Sequence, residues 1–284
     1  MSNISFDLSG KIEPAFLDVI SNMTQVADSL NISFFLVGAT ARDFILDHCY
    51  GIKTTRMTRD IDLGVEIANW DQFEALSKAL LATKEFSVTQ EKQRFLFSDI
   101  PVDIVPFGPI ADRNKKISWP PEHEIFMSML GFDEAYKYSV SVRLSIDPEI
   151  VIKIPTLPGL ALMKLISWND RYPERPKDAE DLLFIMHHYD DAGNTDRLYD
   201  EEISLLRDEG FDNRLAGIKL LGKDMAKMSD SVTTDTIRAI LATETDDESS
   251  YRLITDMVKA YGFRGSFDVI LQHVKKLREG FFLI

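Results

Sequence analysis

The sequence predicts an α+β protein in which a mixed sheet with packed helices comes first and an all-helical region follows. In the first half, short apolar or alternating runs typical of strands alternate with runs of helical apolar spacing. From Pro155 onward, only helical spacing continues to the end of the chain. We therefore expect two domains, residues 1–154 and residues 155–284, with a boundary near Pro155.

The individual elements follow from the same periodicities. Helical spacing marks four segments of the first half, at residues 11–30, 39–50, 70–81 and 122–136. Strand patterns lie between them, at residues 33–38, 58–67, 94–99, 101–107, 138–146 and 150–154. Pro101 marks a break between two of these strands. The second half contains seven candidate helices, at residues 157–169, 175–189, 197–209, 211–228, 231–243, 248–261 and 265–279.

Composition excludes several classes of function. The chain of 284 residues has a net charge of −14 and neither half is basic, so we expect no duplex DNA as a partner. Cys49 is the single cysteine, which excludes an intrachain disulfide and a cysteine-based zinc site. The N-terminal segment lacks the basic-then-apolar order of a signal peptide, and no apolar run has the length of a membrane span. We therefore expect a cytoplasmic protein without membrane contact.

The strand 58–67 places two carboxylates on one face. Asp60 and Asp62 alternate with apolar residues, so both side chains point the same way. Their mutual repulsion indicates either a solvated face or a bound cation. Asp103 lies on a later strand and would join them if the two strands pair. Three such oxygen ligands would suit Mg²⁺ or Mn²⁺.

A glycine turn precedes this carboxylate strand. Gly38 ends a strand, and the small residues Ala39 and Thr40 begin a helix whose first N–H groups are open to a phosphate. Thr40 could add a hydroxyl. A phosphate cradle followed by a carboxylate pair is the arrangement that a nucleoside triphosphate with Mg²⁺ requires. Arg59 closes a segment without acidic residues, 48–59, which could hold the triphosphate or form an exposed loop.

These residues resemble the signature of nucleotidyltransferases of the DNA polymerase β superfamily. That signature combines a Gly-Gly or Gly-Ser turn, Asp-x-Asp on a strand and a third carboxylate on a later strand. The stretch LVGATARDFIL is also similar to the corresponding stretch of tRNA CCA-adding enzymes and poly(A) polymerases, and Arg42 lies within it. Ala39 stands where Gly or Ser is usual. The resemblance implies a polymerase-β-type core with Asp60, Asp62 and Asp103 as metal ligands and Gly38, Ala39, Thr40 and Arg42 at the nucleotide.

A second stretch, LPGLALMKLISWNDRYPERPKDAEDLLFIM at 157–186, resembles the C-terminal signature of AbiEii-type nucleotidyltransferase toxins, including the MenT-like toxins. Those proteins have a helix with a functional Lys, followed by a Lys/Arg-Asp-x-x-Asp-Leu helix. Lys164 matches the first helix. The resemblance implies that Lys164 neutralises charge on the transferred group and that Asp178 or Asp181 takes the aspartate role. A lysine that snorkels to solvent is the structural alternative.

The resemblance implies a magnesium-dependent transfer of a nucleoside monophosphate from an NTP to an acceptor hydroxyl. The acceptor would be a tRNA 3′ end or a protein, and the chain would be a toxin with a cognate antitoxin as its partner. One alternative is a small-molecule nucleotidyltransferase of the aminoglycoside type. The other is a catalytically weak nucleotide-binding module, because Ala39 lacks the hydroxyl of the usual Ser.

Overall fold

The computed structural model describes residues 4–54, 59–260 and 266–284. The chain forms two compact units. The first comprises Met1–Cys49 with Arg56–Thr156, and the second comprises Tyr50–Thr55 with Leu157–Ile284. All strands of the described residues belong to the first unit, and the second is built from helices.

A mixed sheet is the centre of the first unit. The strands are β1 Ile4–Asp7, β2 Phe34–Val37, β3 Ile61–Glu66, β4 Phe86–Val88, β5 Arg94–Phe97, β6 Ile100–Phe107, β7 Lys116–Ser118, β8 Phe126–Ser128, β9 Val140–Ile146 and β10 Glu149–Ile154. Eight of them form one sheet in the order β1-β9-β10-β2-β3-β6-β5-β4, and β7 pairs with β8 separately. Strands β3 and β6 run parallel, whereas β2 and β5 are antiparallel to them. The predicted mixed sheet is confirmed.

Four helical segments accompany this sheet. They are α1 Pro14–Ser29, α2 Gly38–Asp43 with a π-helical continuation at Phe44–Cys49, α3 Trp70–Ala82 and α4 Phe132–Lys137. Pro14 starts α1 at a position where its missing N–H costs nothing. The Asn69 side chain caps α3 by accepting a hydrogen bond from the Gln72 N–H.

The apolar face of β3 is buried, as the alternation predicts. The other face carries an aspartate at one end and packs against an aromatic ring further along. Ile61 and Leu63 are almost fully buried. On the other face, Gly64 lies opposite Phe35 of β2, and a Cβ on Gly64 would come within 2.3 Å of the Phe35 ring. That ring makes edge contacts with Phe107, at 5.2 Å between ring centroids. Glycine therefore leaves room for an aromatic cluster beside the aspartate end of the strand.

The secondary structure predicted from local sequence patterns is wrong in two places. Residues 122–136 were expected to be helical, but Phe126–Ser128 forms β8 because it pairs with β7, and only Phe132–Lys137 is helical. Pairing with a partner strand overrides local spacing in such short segments. Pro101 lies inside β6 and does not break it. The break occurs instead at Ser98, whose backbone adopts a left-handed φ of 52°.

The second unit is helical, as predicted. Its helices are α5 Leu157–Asp170, α6 Pro176–His188, α7 Thr195–Asp200, α8 Ile203–Asp208, α9 Asn213–Met228, α10 Ser231–Thr245, α11 Arg252–Lys259 and α12 Phe267–Phe281. The segment 197–209, expected as one helix, contributes to two. Side chains of Asp212, Asp230 and Ser266 cap α9, α10 and α12. Among the described helices, none has both the length and the apolarity needed to cross a bilayer.

Helices α9 and α12 meet through glycines. A Cβ on Gly222 would lie 2.2 Å from the carbonyl oxygen of Leu277, and one on Gly280 would lie 1.9 Å from that of Lys219. These distances are far below van der Waals contact, so only the absence of side chains allows the two backbones to approach this closely.

Helices α6 and α12 bring two imidazoles together. Nε2 of His187 lies 2.9 Å from Nδ1 of His273, so one ring donates to the other when both are neutral. Burial lowers the pKa of His187 to about 3, and the charges of His273 and Arg214 act in the same direction. Burial, with the charge of Arg214, also lowers the pKa of His273. The folded protein therefore keeps this pair neutral.

This pair predicts an acid-sensitive stability. The folded pKa of His187 lies below the unfolded value of about 6.5, so the unfolded chain takes up protons first as pH falls. Stability present at pH 7 should decline by roughly 1 kcal/mol per pH unit as pH falls from about 6.5 toward the folded pKa of His187 of about 3. Urea unfolding of His187→Gln/His273→Gln should show a shallower pH dependence. The exposed His123→Gln control should keep the wild-type slope, and an equal slope in all three proteins would contradict this account.

Candidate functional site

Four neighbouring strands bring one apolar and three charged residues into one lateral row. Val37 at the end of β2 pairs with Asp62 of β3, and Asp62 pairs with Asp103 of β6. Asp103 in turn pairs with Arg94 of β5. Directly paired residues project from the same face of a sheet, so this row is also a row of neighbouring side chains. The strand of Asp103 thus lies where the sequence interpretation required it.

Gly38 lies directly against Asp62. The residue has a φ of 71°, in the left-handed region, and a Cβ there would lie 2.1 Å from the Asp62 Oδ2 atom. Backbone conformation and close approach each exclude a side chain, so the position requires glycine. The glycine turn and the carboxylate strand, two separate signals in the sequence, are in direct contact.

Helix α2 begins at this glycine. Val37 occupies the N-cap position and no side chain caps the helix. The first N–H groups of any α-helix lack intrahelical partners, and the partial positive charge at this end favours an anion. The backbone around Gly38 and Ala39 therefore offers hydrogen-bond donors beside the Asp62 carboxylate.

Thr40 contributes differently from the expectation. Its buried hydroxyl donates to the main-chain carbonyl oxygen of Asp60 at 2.7 Å. The Thr40 hydroxyl, which the sequence suggests as a donor to a phosphate, instead donates its hydrogen bond to the main chain and fixes the backbone where the chain enters β3. Thr40 acts on the site by positioning Asp60, whose own side chain is 44% exposed.

Arg94 is the residue that the sequence analysis missed. Its Nε donates to Oδ1 of Asp103 at 2.7 Å and its Nη2 donates to Oδ2 at 2.8 Å, a bidentate pair. Nη2 also lies 3.5 Å from Oδ2 of Asp60. The hydrogen bonds to Asp103 raise the pKa of the Arg94 guanidinium above its ordinary value, and nearby carboxylate charges add to this effect. Arg94 directly precedes the apolar run Phe95–Phe97 in the sequence, but only the β5–β6 register reveals its partner.

The carboxylates fit a divalent cation in part. Asp60 and Asp62 offer oxygen atoms from one face, the ligand type that Mg²⁺ and Mn²⁺ prefer. Asp103 was expected as a third ligand, but both of its oxygens are hydrogen-bonded to Arg94. In the described part of the chain, no three His, Cys, Asp or Glu side chains are grouped closely enough to hold a metal ion. The oxygen atoms of Asp60 and Asp62 are of the type that fits the ion, whereas the positive charge of Arg94 opposes binding of the ion at Asp103.

Two arginines expected near the nucleotide have different environments. Arg42 is only 4% exposed, and its Nε donates to Oδ1 of the adjacent Asp43 at 2.8 Å. Its guanidinium is thus engaged within the α2 segment. Arg59 is exposed and directly precedes Asp60, where its charge is accessible to an anion.

A second charged cluster lies within the helical unit. Nζ of Lys164 on α5 lies 2.8 Å from Oδ1 of Asp178 and 2.6 Å from Oδ2 of Asp181, both on α6. Ser167 donates to the other oxygen of Asp178 at 2.8 Å. Asp181 is fully buried and Lys164 nearly so. Lys164 is therefore not a snorkelling lysine, and both of the aspartates that the sequence offers for the family's aspartate role form ion pairs with it.

The protonation of Lys164 follows from this cluster. Burial by itself would lower the pKa of its ammonium, but the charges of Asp181 and Asp178 outweigh burial and raise the pKa. The lysine is cationic between two carboxylates. Ser167 had no signal in the sequence beyond lying three residues after Lys164 on the same helix.

Comparison with known protein families finds one family whose model matches most of the chain. The family described as "Nucleotidyl transferase AbiEii toxin, Type IV TA system" matches residues 23–269. No protein with a curated description matches the chain.

Several solved structures are similar at low sequence identity. ANT(2")-Ia in complex with adenylyl-2"-tobramycin is 16% identical, covers 70% of this chain and 98% of its own, and has a TM-score of 0.36. A CCA-adding enzyme with ATP is 15% identical, with coverages of 94% and 71% and a TM-score of 0.33. The Thermotoga maritima CCA-adding enzyme complexed with tRNA-CCA is 14% identical, with the same coverages and a TM-score of 0.29.

The buried Lys164 cluster predicts a large effect on stability. Replacing Lys164 with Met leaves two buried carboxylates without its charge, which should lower the free energy of unfolding by about 3 kcal/mol. Adding Asp178→Asn and Asp181→Asn to that variant should recover part of the loss. The exposed, helix-surface Lys78→Met is the control, with a change below about 0.5 kcal/mol. Urea unfolding measures all three, and equal stability of Lys164→Met and wild type would refute the buried network.

Proposed function

The chain belongs to the AbiEii nucleotidyltransferase toxin family, and we propose that its first unit binds an NTP with Mg²⁺ and transfers the nucleoside monophosphate to an acceptor hydroxyl. The observation that carries this proposal is the contact between Gly38 and Asp62. It joins a helix start suited to phosphate with a carboxylate suited to a divalent cation. Pyrophosphate is the leaving group.

Asp60 and Asp62 are the residues that would hold Mg²⁺ or Mn²⁺. When bound, such an ion neutralises the charge of the phosphates and stabilises the leaving oxygen. The backbone N–H groups at Gly38 and Ala39 would receive the outgoing phosphates, and exposed Arg59 would add positive charge. The missing hydroxyl at Ala39 is tolerated in this arrangement because the main chain provides the donors.

Asp103 has two proposed roles, as a ligand for a second metal ion and as acceptor of the proton of the attacking hydroxyl. Arg94 engages both oxygens in the present arrangement, and its positive charge opposes both the binding of a second cation and the acceptance of a proton. Either role is therefore favoured when the guanidinium moves away from Asp103.

In the second unit, we propose that Lys164 supplies positive charge to the transferred phosphate. An ammonium group is a point charge that suits phosphate without a fixed geometry. Asp178 and Asp181 would hold that ammonium in place, which their ion pairs with Lys164 support.

For the acceptor, we propose a hydroxyl group of a tRNA 3′ end or of a protein, with the chain acting as a toxin controlled by a cognate antitoxin. The toxin–antitoxin description of the family supports this proposal. The net charge of −14 disfavours extensive contact with a long RNA and favours a short, local contact with an RNA end or with a protein.

The Asp60→Asn/Asp62→Asn variant tests the catalytic proposal. Magnesium-dependent release of pyrophosphate from NTPs should fall by at least about a hundredfold, because the main charge-stabilising groups are removed at nearly constant volume. Asp99→Asn, an exposed position on the neighbouring turn, should retain wild-type turnover. Undiminished turnover in the double variant would refute the assignment.

The acceptor can be identified by following which molecule receives the label from an α-labelled NTP. Incubation with α-labelled NTPs, Mg²⁺ and total cell RNA or lysate should place label on RNA or on protein, and the double aspartate variant should place none. Growth arrest on expression, relieved by the same variant, would support the toxin role. Label confined to a small molecule would contradict the proposed acceptor, and absence of label on any acceptor would contradict transfer itself.

A further inference from the structure

We propose that Arg94 is a positioning residue that withholds Asp103 from metal binding until a nucleoside triphosphate offers the guanidinium a competing anion. The inference deepens the proposed function and rests on it. It makes occupancy of the third carboxylate dependent on the arrival of the nucleotide.

The guanidinium lies where a cation would relieve the repulsion of this carboxylate row. Arg94 engages both oxygens of Asp103 and reaches to within 3.5 Å of Oδ2 of Asp60. One positive charge therefore serves two of the three carboxylates proposed as metal ligands. Without nucleotide, the protein provides its own counter-charge to this face.

A metal ion and Arg94 compete for the same atoms. The bidentate pair occupies one lone pair on each oxygen of Asp103 and places a positive charge against the carboxylate, so a cation at Asp103 is repelled by the guanidinium and competes with it. This competition reduces the affinity of Asp103 for the ion. Asp60 is held less firmly by the same guanidinium, since Arg94 contacts it only at the limit of hydrogen bonding.

A triphosphate is the occupant that can release this contact. Phosphates bound at the start of α2, beside Asp62, would add anionic oxygens to the same row. Arginine binds phosphate oxygens in the same bidentate geometry that it uses for a carboxylate. Arg94 is 29% exposed on its strand, so its side chain is accessible to such a ligand. Transfer of the guanidinium to phosphate frees Asp103, which couples nucleotide and metal binding positively.

Arg143 is a matched control for this role. It is also an arginine of the sheet, it is 28% exposed, and it pairs with Asp7 and Glu149 at 3.1 Å each. Its partners are not among the proposed metal ligands. Removing its charge changes the net charge of the protein as much as removing that of Arg94.

Mn²⁺ binding to the nucleotide-free protein, measured by electron paramagnetic resonance of the free ion, tests the inference. Arg94→Gln should bind Mn²⁺ about tenfold more tightly than wild type, the factor expected from one charge-assisted hydrogen bond. The gain should disappear in Arg94→Gln/Asp103→Asn, and Arg143→Gln should match wild type. Unchanged or weaker binding by Arg94→Gln would overturn the proposal, as would a gain that persists without Asp103.

Three further measurements complete the design. With a non-hydrolysable NTP analogue, the wild-type affinity for Mn²⁺ should rise until it lies within about threefold of Arg94→Gln. A tenfold difference that persists with nucleotide would overturn the release step.

Thermal unfolding checks the fold, since Mn²⁺ should raise the melting temperature of Arg94→Gln more than that of wild type. Arg94→Lys, which keeps the charge without the bidentate geometry, should show intermediate Mn²⁺ affinity, and a gain equal to that of Arg94→Gln would contradict the bidentate restraint.

None of these binding measurements requires turnover. Failure of the proposed function would appear as unchanged pyrophosphate release in the Asp60→Asn/Asp62→Asn variant. Failure of the Arg94 inference would appear as unchanged Mn²⁺ affinity in Arg94→Gln. The two results are therefore distinguishable.

Discussion

The parallel pairing of β3 with β6 is the constraint on which the arrangement of the first unit's charged residues depends. It sets Asp62 beside Asp103, and β5 adds Arg94 on the far side of Asp103. On the other side, β2 pairs with β3 up to Val37, so the next residue, Gly38, lies against Asp62. A slip of one residue would turn an aspartate to the opposite, apolar face. Burial of Ile61 and Leu63 on that face therefore fixes the register, and the register fixes the carboxylate row.

The same electrostatic requirement explains both charged clusters, the one around Arg94 and the one around Lys164. Carboxylates in proximity require a cation between them, because their repulsion is strong where solvent is partly excluded. In the first unit, Arg94 meets this need for Asp103 and Asp60. In the second, Lys164 meets it for Asp178 and Asp181. The clusters differ in exposure: the lysine is enclosed by its partners, whereas the Asp60 carboxylate remains open to solvent and to an incoming ion.

The sequence predicts the parts of this molecule that depend on local periodicity. The shared face of Asp60 and Asp62 and the glycine turn before them follow from spacing alone. The partner of Asp103 cannot be predicted in this way, because the pairing of β5 with β6 is what brings Arg94 beside it. Likewise, the choice between Asp178 and Asp181 could not be made from a helical repeat, since positions three residues apart both face Lys164. The short strand Phe126–Ser128 was missed because pairing, and not local pattern, determines it.

The central claim is that Asp60 and Asp62 hold a divalent cation beside a triphosphate bound at Gly38. Anomalous diffraction from crystals grown with Mn²⁺ and a non-hydrolysable NTP tests it most directly. The account predicts an anomalous peak about 2.0 to 2.3 Å from carboxylate oxygens of both aspartates, with phosphate density at the start of α2. A nucleotide bound elsewhere, or a manganese peak remote from Asp60 and Asp62, would contradict it.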